Sequence, residues 1–254
     1  MTTQDSPMRI FRHVIFSFFV LSACAVSALA WAAEKFDAGK NQSAVAVSKT
    51  QNVSASKGVV FEDGKDFFSY KEPLTLTPKA GDDRIEISLF FAYECPYCST
   101  AYDNLILYQR LHDEQVVLNV YPVAISTALF TANVFNGLVA MGKRDLAELL
   151  IFDSAVNQGK TSLVDAKNLY YWLVEHDISP DAFLTLLRSD QIAEQAKESV
   201  LRSERYGVFT VPFVVINGQY VLTRSTLYND DYTFAVLDFL ISTILNHTSQ
   251  QGPQ

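Results

Sequence analysis

The sequence predicts an α/β fold in which a block of helices interrupts a β-sheet. Residues 84–92 form an apolar run of the length of a buried strand, and a helical pattern then leads to a second such run at 116–123. Residues 126–189 keep a helical period throughout, and beyond Gly207 the period changes to two. At 254 residues and 49% hydrophobic, the chain is long enough to bury one core together with such an insert.

The individual elements follow from these patterns. A short first strand is expected within 66–74, and the strands at 84–92 and 116–123 are parallel because a helix at 99–112 connects them as a βαβ unit. Asn217-Gly218 predicts a hairpin turn between strands 213–216 and 219–222. The remaining helices are expected at 128–141, at 144–156, at 162–174 with Ser162 as cap, from Ser179-Pro180 onward, at 191–205 and at 232–245.

This order of elements resembles a thioredoxin-like fold with an inserted all-helical domain. Residues 59–125 and 190–246 would form the thioredoxin-like domain, and residues 126–189 the inserted helical domain. The polar residues 247–254 are expected to be a disordered tail.

The N-terminal segment indicates export. Arg9 and Arg12 precede an uncharged run at 14–33, so residues 1–33 are a signal peptide or a membrane anchor rather than a core helix. Three outcomes stay open: lipidation of Cys24 in a lipoprotein-like L-S-A-C box, cleavage at an A-x-A site with release, or an uncleaved anchor. All three place the rest of the chain at the bacterial periplasm or extracytoplasmic face, where disulfides persist.

Residues 34–58 are rich in Ser, Lys, Asn and Ala and predict a flexible linker. A flexible polar linker of this length would let a domain rotate above a bilayer. We therefore expect the mature protein to be tethered to a membrane. The net charge of −8 and the lack of a basic stripe exclude nucleic acid as a partner.

The motif Cys95-Pro96-Tyr97-Cys98 lies at the junction of a predicted strand and a predicted helix. Pro96 suits the first helical position, which would put Cys95 at the cap, where the helix dipole favours a thiolate. Cys95 is therefore the expected nucleophile, and Cys98, one turn into the helix, the resolving thiol. The chemistry is thiol–disulfide exchange through a mixed disulfide.

Two structural alternatives apply to this pair. One is half of a zinc site, but zinc normally takes four ligands and the chain offers no further cluster at ligand spacing, so no metal is expected. The other is an inert structural disulfide. Val211-Pro212 is a further signal, because a proline leading into a strand is awkward unless it occupies the first position of that strand.

With these motifs in place the sequence resembles the DsbA family over about residues 59–245. The resemblance rests on FFAYECPYC at 90–98 and TVPFVVINGQYV at 210–221. Glutaredoxins share a C-P-Y-C and a T-V-P motif, but they are much shorter, and here 114 positions separate Cys98 from Pro212. The resemblance implies that the Val211–Pro212 bond is cis, lies beside the cysteine pair and helps to line a substrate groove.

The motif also departs from the family pattern at three positions. Tyr97 replaces a frequent His, Leu89 replaces a buried acid six residues before the first cysteine, and Glu94 adds a carboxylate where an aromatic is usual. Pro96, Tyr97 and Glu94 are expected to set the redox properties of the cysteine pair. Because Tyr97 offers no cationic charge and Glu94 opposes thiolate formation, a weaker oxidant is expected.

The resemblance implies an extracytoplasmic thiol:disulfide oxidoreductase that donates the Cys95–Cys98 disulfide to exported proteins. It would act as a monomer without a cofactor, and a DsbB-like membrane quinone reductase would reoxidise it. The alternatives are a disulfide reductase or isomerase on the same fold, and a non-enzymatic binding module with a structural disulfide.

Overall fold

The computed structural model describes residues 60–76, 82–156, 162–163 and 165–250. The predicted export segment with Cys24, and the linker at 34–58, lie outside these residues. Within the described ranges no helix combines the length and the apolar character needed to cross a bilayer.

The described residues form a five-stranded sheet in the order β1-β5-β4-β2-β3. Strand β2 lies between β3, with which it runs parallel, and β4, with which it runs antiparallel. All but one of its residues are buried, which explains its nearly continuous apolar sequence. The strands are β1 (Phe68–Ser69), β2 (Ile85–Phe91), β3 (Val116–Pro122), β4 (Phe213–Ile216) and β5 (Tyr220–Thr223).

The described ranges also contain seven helices, so the predicted α/β class is confirmed. One of them connects β2 to β3, and five follow in succession between β3 and β4. They are α1 (Cys98–Leu111), α2 (Phe130–Ala140), α3 (Arg144–Val156), α4 (Ala166–Glu175), α5 (Pro180–Leu187), α6 (Asp190–Arg205) and α7 (Asp230–Gln250).

Some boundaries differ from the expected ones. Strand β1 has two residues rather than the stretch 66–74, because the chain turns at 63–67 and then continues beside the hairpin through isolated backbone hydrogen bonds. Helix α7 extends to Gln250, so the first residues of the expected tail at 247–254 are helical. The cap of α4 is Asp165, whose carboxylate accepts from the Lys167 N–H, and not Ser162. Ser179 caps α5 as predicted, with Pro180 in the first turn.

A single cluster of buried side chains extends from the sheet into the helical block. It contains Ile87 and Phe91 of β2, Leu105 of α1, Leu138 of α2 and Phe183 of α5. The residues expected to form the insert therefore share their core with the sheet. This shared core fixes α2 and α3 relative to the end of β2, where the cysteine pair lies.

Asp66 connects the segment around β1 to the C-terminal helix. Its carboxylate accepts from the N–H of Glu62 at 2.8 Å and from the hydroxyl of Tyr232, while Thr226 Oγ1 donates to its carbonyl at 2.6 Å. The Tyr232 hydroxyl first, and the Glu62 N–H second, hold the pKa of Asp66 below its usual value of 3.8 because both donate to the charged form.

Asp66→Asn should therefore lower the thermal stability at neutral pH. It should also make that stability less sensitive to acidic pH. A depressed pKa gives stability that is present above the unfolded value, here 3.8, and that is lost as the pH falls through the lower folded value. The melting temperature of the native protein should fall in that acidic range, and that of the variant should fall less. Circular dichroism melts from pH 7 to pH 2 measure this, and equal acid slopes would contradict it.

Candidate active site

The cysteine pair lies in a turn between β2 and α1. The Cys95 N–H donates to the Ala92 carbonyl at 3.1 Å, and the Cys98 N–H donates to the Cys95 carbonyl at 3.2 Å. The two cysteines are joined as a disulfide, with 5.5 Å between their Cα atoms. Two residues between the cysteines are thus enough for the sulfurs to meet within one turn.

Helix α1 begins later than the sequence indicated. Cys98 is its first residue and Tyr97 its cap, so Cys95 is not the cap and Pro96 is not in the first turn of the helix. The reason is local: residues 95–98 close a tight turn of their own, and the Ala101 N–H bonds to the Tyr97 carbonyl at the helix start. Cys98 is therefore at the helix N-terminus rather than one turn into it.

The two sulfur-bearing residues differ in accessibility. Cys95 keeps 7% of its surface exposed, whereas Cys98 is fully buried in the main core. Pro96 and Tyr97, between them, are exposed. Both cysteines belong to the buried core, but the small exposed surface of the pair is at Cys95. The order of attack expected from the sequence stays a prediction.

The Val211–Pro212 peptide bond is cis. Pro212 is buried and directly precedes β4, whose first residue, Phe213, pairs with Phe90 of β2. Because the two strands run antiparallel, the register carried one step further sets Pro212 opposite Phe91, near the point where β2 gives way to the cysteine turn. The sheet thus brings the two distant sequence motifs to the same end of β2.

An open groove of about 360 Å³ lies between these motifs and the start of the helical block. Ala92 and Glu94 line it from the segment before Cys95, and Thr131 lines it from α2. Its other walls are largely apolar, and several of their side chains are solvent-exposed. The larger apolar residues are Val123, Ile125, Phe130, Val208, Phe209 and Val211.

Thr131 is a site residue that the sequence analysis missed. Its hydroxyl donates to a Glu94 carboxylate oxygen at 3.2 Å and accepts from the Tyr93 N–H at 3.4 Å. Thr131 is buried and Glu94 is exposed. A threonine within a helical pattern gives no signal for this role, because the contact joins residues far apart in sequence.

Tyr93 holds the segment before the cysteines from inside the protein. Its side chain is almost fully buried, and its hydroxyl donates to the Ala147 carbonyl of α3 at 2.9 Å. Burial raises the pKa of Tyr93 well above its usual value, so the hydroxyl keeps the proton that it donates. Leu89, which stands where the family pattern has a buried acid, is an apolar core residue of β2.

Arg224 is the second residue that the sequence analysis missed. It follows β5, and its guanidinium carbon lies 3.4 Å from the centre of the Tyr97 ring. The arrangement is a close cation–π contact on the residue between the two cysteines. No local pattern connects Arg224 with a motif 126 positions earlier in the chain.

The comparisons with known proteins decide the family. No family model matches the chain. An uncharacterized protein of Haemophilus influenzae is 38% identical over 210 residues, which cover 83% of this chain and 89% of that protein. The thiol:disulfide interchange protein DsbA of Azotobacter vinelandii is 28% identical over 174 residues, covering 68% of this chain and 80% of that protein. The chain is therefore a DsbA-type oxidoreductase of the thioredoxin fold.

The solved structures agree in fold. The crystal structure of Pseudomonas aeruginosa DsbA superposes with a TM-score of 0.59 at 20% identity, covering 74% of this chain and 97% of that chain. The oxidoreductase NmDsbA1 of Neisseria meningitidis gives 0.58 at 21% identity, covering 76% and 98%. These structures confirm the predicted thioredoxin fold with a helical insert. Together with the DsbA relatives found by sequence, they indicate a protein disulfide oxidoreductase.

Within the residues that the structure describes, no group of three or more His, Cys, Asp or Glu side chains is placed to hold a metal ion. The chemistry that the DsbA-family site supports is exchange between thiols and the Cys95–Cys98 disulfide.

Proposed function

We propose that the protein donates the Cys95–Cys98 disulfide to cysteine pairs of exported proteins. The observation that carries this proposal is the pairing of Cys95, which keeps 7% of its surface exposed, with a fully buried Cys98 beside an open apolar groove. Such a pair can form a mixed disulfide with a substrate at one sulfur while the other is protected from outside thiols.

The exchange balances in two steps. A substrate thiolate attacks Cys95 Sγ, the Cys95–Cys98 bond breaks, and Cys98 takes the electron pair and then a proton. A second substrate thiolate attacks the substrate sulfur of the mixed disulfide, and Cys95 leaves as a thiolate. The substrate gains one disulfide and loses two electrons, which the enzyme pair now holds.

The exposed apolar side chains of the groove favour an unfolded substrate over a folded one. Phe209 keeps 77% of its surface exposed, and Ile125 keeps 55%, which leaves large apolar surfaces free beside the cysteine turn. Val211 closes the side of the groove next to Pro212. An extended chain that carries a cysteine next to apolar side chains fits such a groove, with Glu94 and Thr131 as its polar contacts.

The same proposal includes the cellular setting. The uncharged segment at 14–33 supports an extracytoplasmic location, and the linker at 34–58 supports a tether, through lipidated Cys24 or an uncleaved anchor. A DsbB-like membrane quinone reductase would take the two electrons from the reduced pair. The protein would act as a monomer that needs no metal or organic cofactor.

The test is a single turnover with a reduced peptide that carries two cysteines. Oxidised protein should convert one peptide dithiol per molecule to a disulfide, as shown by acid quenching, alkylation and mass spectrometry. Cys95→Ala should convert none. If instead the reduced protein converts peptide disulfides to dithiols with an equilibrium in that direction, the reductase alternative holds. If neither reaction occurs, the pair is a structural disulfide in a binding module.

Glu94 carries a separate prediction about the redox equilibrium. Glu94 directly precedes Cys95 in the sequence and its side chain is exposed. A nearby negative charge opposes thiolate formation. Glu94→Gln should therefore raise the reduction potential by more than about 10 mV, roughly half a kcal/mol for a two-electron couple. Glu175→Gln, an exposed carboxylate at the end of α4, is the control. Equal reduction potentials in both variants would show that the charge of Glu94 does not affect the redox equilibrium of the cysteine pair.

A further inference from the structure

Arg224 is placed to act on the cysteine pair through Tyr97. Its guanidinium carbon is 3.4 Å from the Tyr97 ring centre, close enough for the flat group to lie against the ring face. Tyr97 keeps 42% of its surface exposed, and Arg224 is exposed as well. The cation therefore lies at the surface of the same turn that presents Cys95.

The backbone that carries Arg224 is held by buried groups. Thr226 is buried and donates through its hydroxyl to the Asp66 carbonyl at 2.6 Å. The Asn104 side chain of α1 donates to the Leu227 carbonyl at 3.3 Å. The turn after β5 is thus fixed to α1, the helix that begins at Cys98, so Arg224 keeps its place beside the cysteine turn.

Among the residues that the structure describes, no carboxylate forms an ion pair with Arg224. The guanidinium group of an arginine carries a permanent positive charge. A permanent positive charge therefore adjoins the motif in which the sequence itself offers no cation.

We propose that Arg224 is a redox-tuning residue of the Cys95–Cys98 pair, which it acts on from its position over Tyr97; this inference rests on the proposed exchange at Cys95. The disulfide is reduced by two electrons and one proton when Cys95 is released as a thiolate and Cys98 as a thiol. A nearby cation stabilises that thiolate, and hence the reduced state. Arg224 thus makes the disulfide a stronger oxidant, which is the opposite of the effect expected for Glu94.

The test compares two matched substitutions. Arg224→Gln removes the guanidinium over Tyr97. Arg202→Gln removes a guanidinium of α6 that lies 4.5 Å from the ring centre of Tyr121 in β3. Both variants lose one positive charge and one cation–π contact. The measurement is the equilibrium of each purified protein with reduced and oxidised glutathione, read by acid quenching and alkylation.

Arg224→Gln should shift this equilibrium toward the protein disulfide by roughly threefold or more, and Arg202→Gln should leave it close to that of the native protein. Arg224→Lys keeps the charge and should restore most of the native value. In a Tyr97→Ala background the Arg224→Gln effect should shrink, because the ring that holds the guanidinium is gone. Circular dichroism confirms that each variant is folded.

Equal glutathione equilibria for Arg224→Gln and Arg202→Gln would overturn the inference. That result would leave the proposed function intact if the native protein still oxidises the reduced peptide. Conversely, a native protein that fails to oxidise the peptide would end the proposed function, while the glutathione equilibrium would still report whether Arg224 tunes the pair.

Discussion

Cys98→Ser should accumulate a mixed disulfide between Cys95 and substrate, whereas Cys95→Ser should accumulate none. The reason is the difference in burial: Cys95 keeps a small exposed surface, whereas Cys98 is fully buried at the start of α1. In the native protein Cys98 lies in the same turn as Cys95, with 5.5 Å between their Cα atoms. In an adduct the Cys98 thiolate can attack Cys95 Sγ and expel the substrate thiolate, so adducts that lack a second substrate thiol are released rapidly. Without Cys98 their lifetime should rise by about a thousandfold or more.

The measurement uses a peptide with a single cysteine, activated as a mixed disulfide with a small thiol. Non-reducing electrophoresis and intact-mass spectrometry then follow the adduct with time. Cys95→Ser is the matched control, because it has the same size change and the same loss of one sulfur. Adducts that form on Cys98 at a similar rate in this control would reverse the assignment of the two cysteines.

Phe183→Ala should lower the free energy of unfolding of the whole molecule by about 3–5 kcal/mol. Phe183 lies in α5 and is fully buried in the core that also contains Ile87 of the central strand. Packing around it is tight, because a Cβ added at Gly137 of α2 would come within 2.9 Å of its ring. The neighbouring side chains therefore have little room to collapse into the cavity.

Urea unfolding measures this effect with two probes. In a protein that begins after residue 33, Trp172 is the remaining tryptophan, and its fluorescence reports the helical block, while far-ultraviolet circular dichroism reports the whole chain. Leu184→Ala on the same helix, where the side chain is 41% exposed, should cost much less. Because the core is shared, both probes should give one transition. Two separate transitions would show that residues 126–189 fold independently.

The sequence predicts best what depends on neighbours along the chain. The apolar run at 84–92 became β2 within one residue at each end, and Asn217-Gly218 joins β4 and β5 as expected. Ser179 caps α5 because its extended backbone lets the hydroxyl reach the Ala182 N–H. The start of α1 was misplaced because Pro96 is equally suited to a tight turn before a helix.

The parts of the site that sequence could not predict depend on contacts between distant segments. With Tyr97 between the cysteines, the sequence predicts no positive charge in this motif. Only the folded chain shows that the guanidinium of Arg224 lies against the Tyr97 ring. Thr131 is similar, because its hydroxyl meets Glu94 only once α2 packs beside the end of β2. Charge and hydrogen bonding at such a site are properties of the tertiary structure.

The two hydrogen bonds of Tyr93 have a consequence for protein engineering. Its N–H is bound by Thr131 of α2 and its hydroxyl by Ala147 of α3, so both ends of this residue are held by the helical block. Deleting residues 126–189 to make a minimal redox module of glutaredoxin size would leave a buried tyrosine with neither partner, two positions before Cys95. A chimaera that carries this C-P-Y-C turn into another scaffold would have to carry α2 and α3 with it.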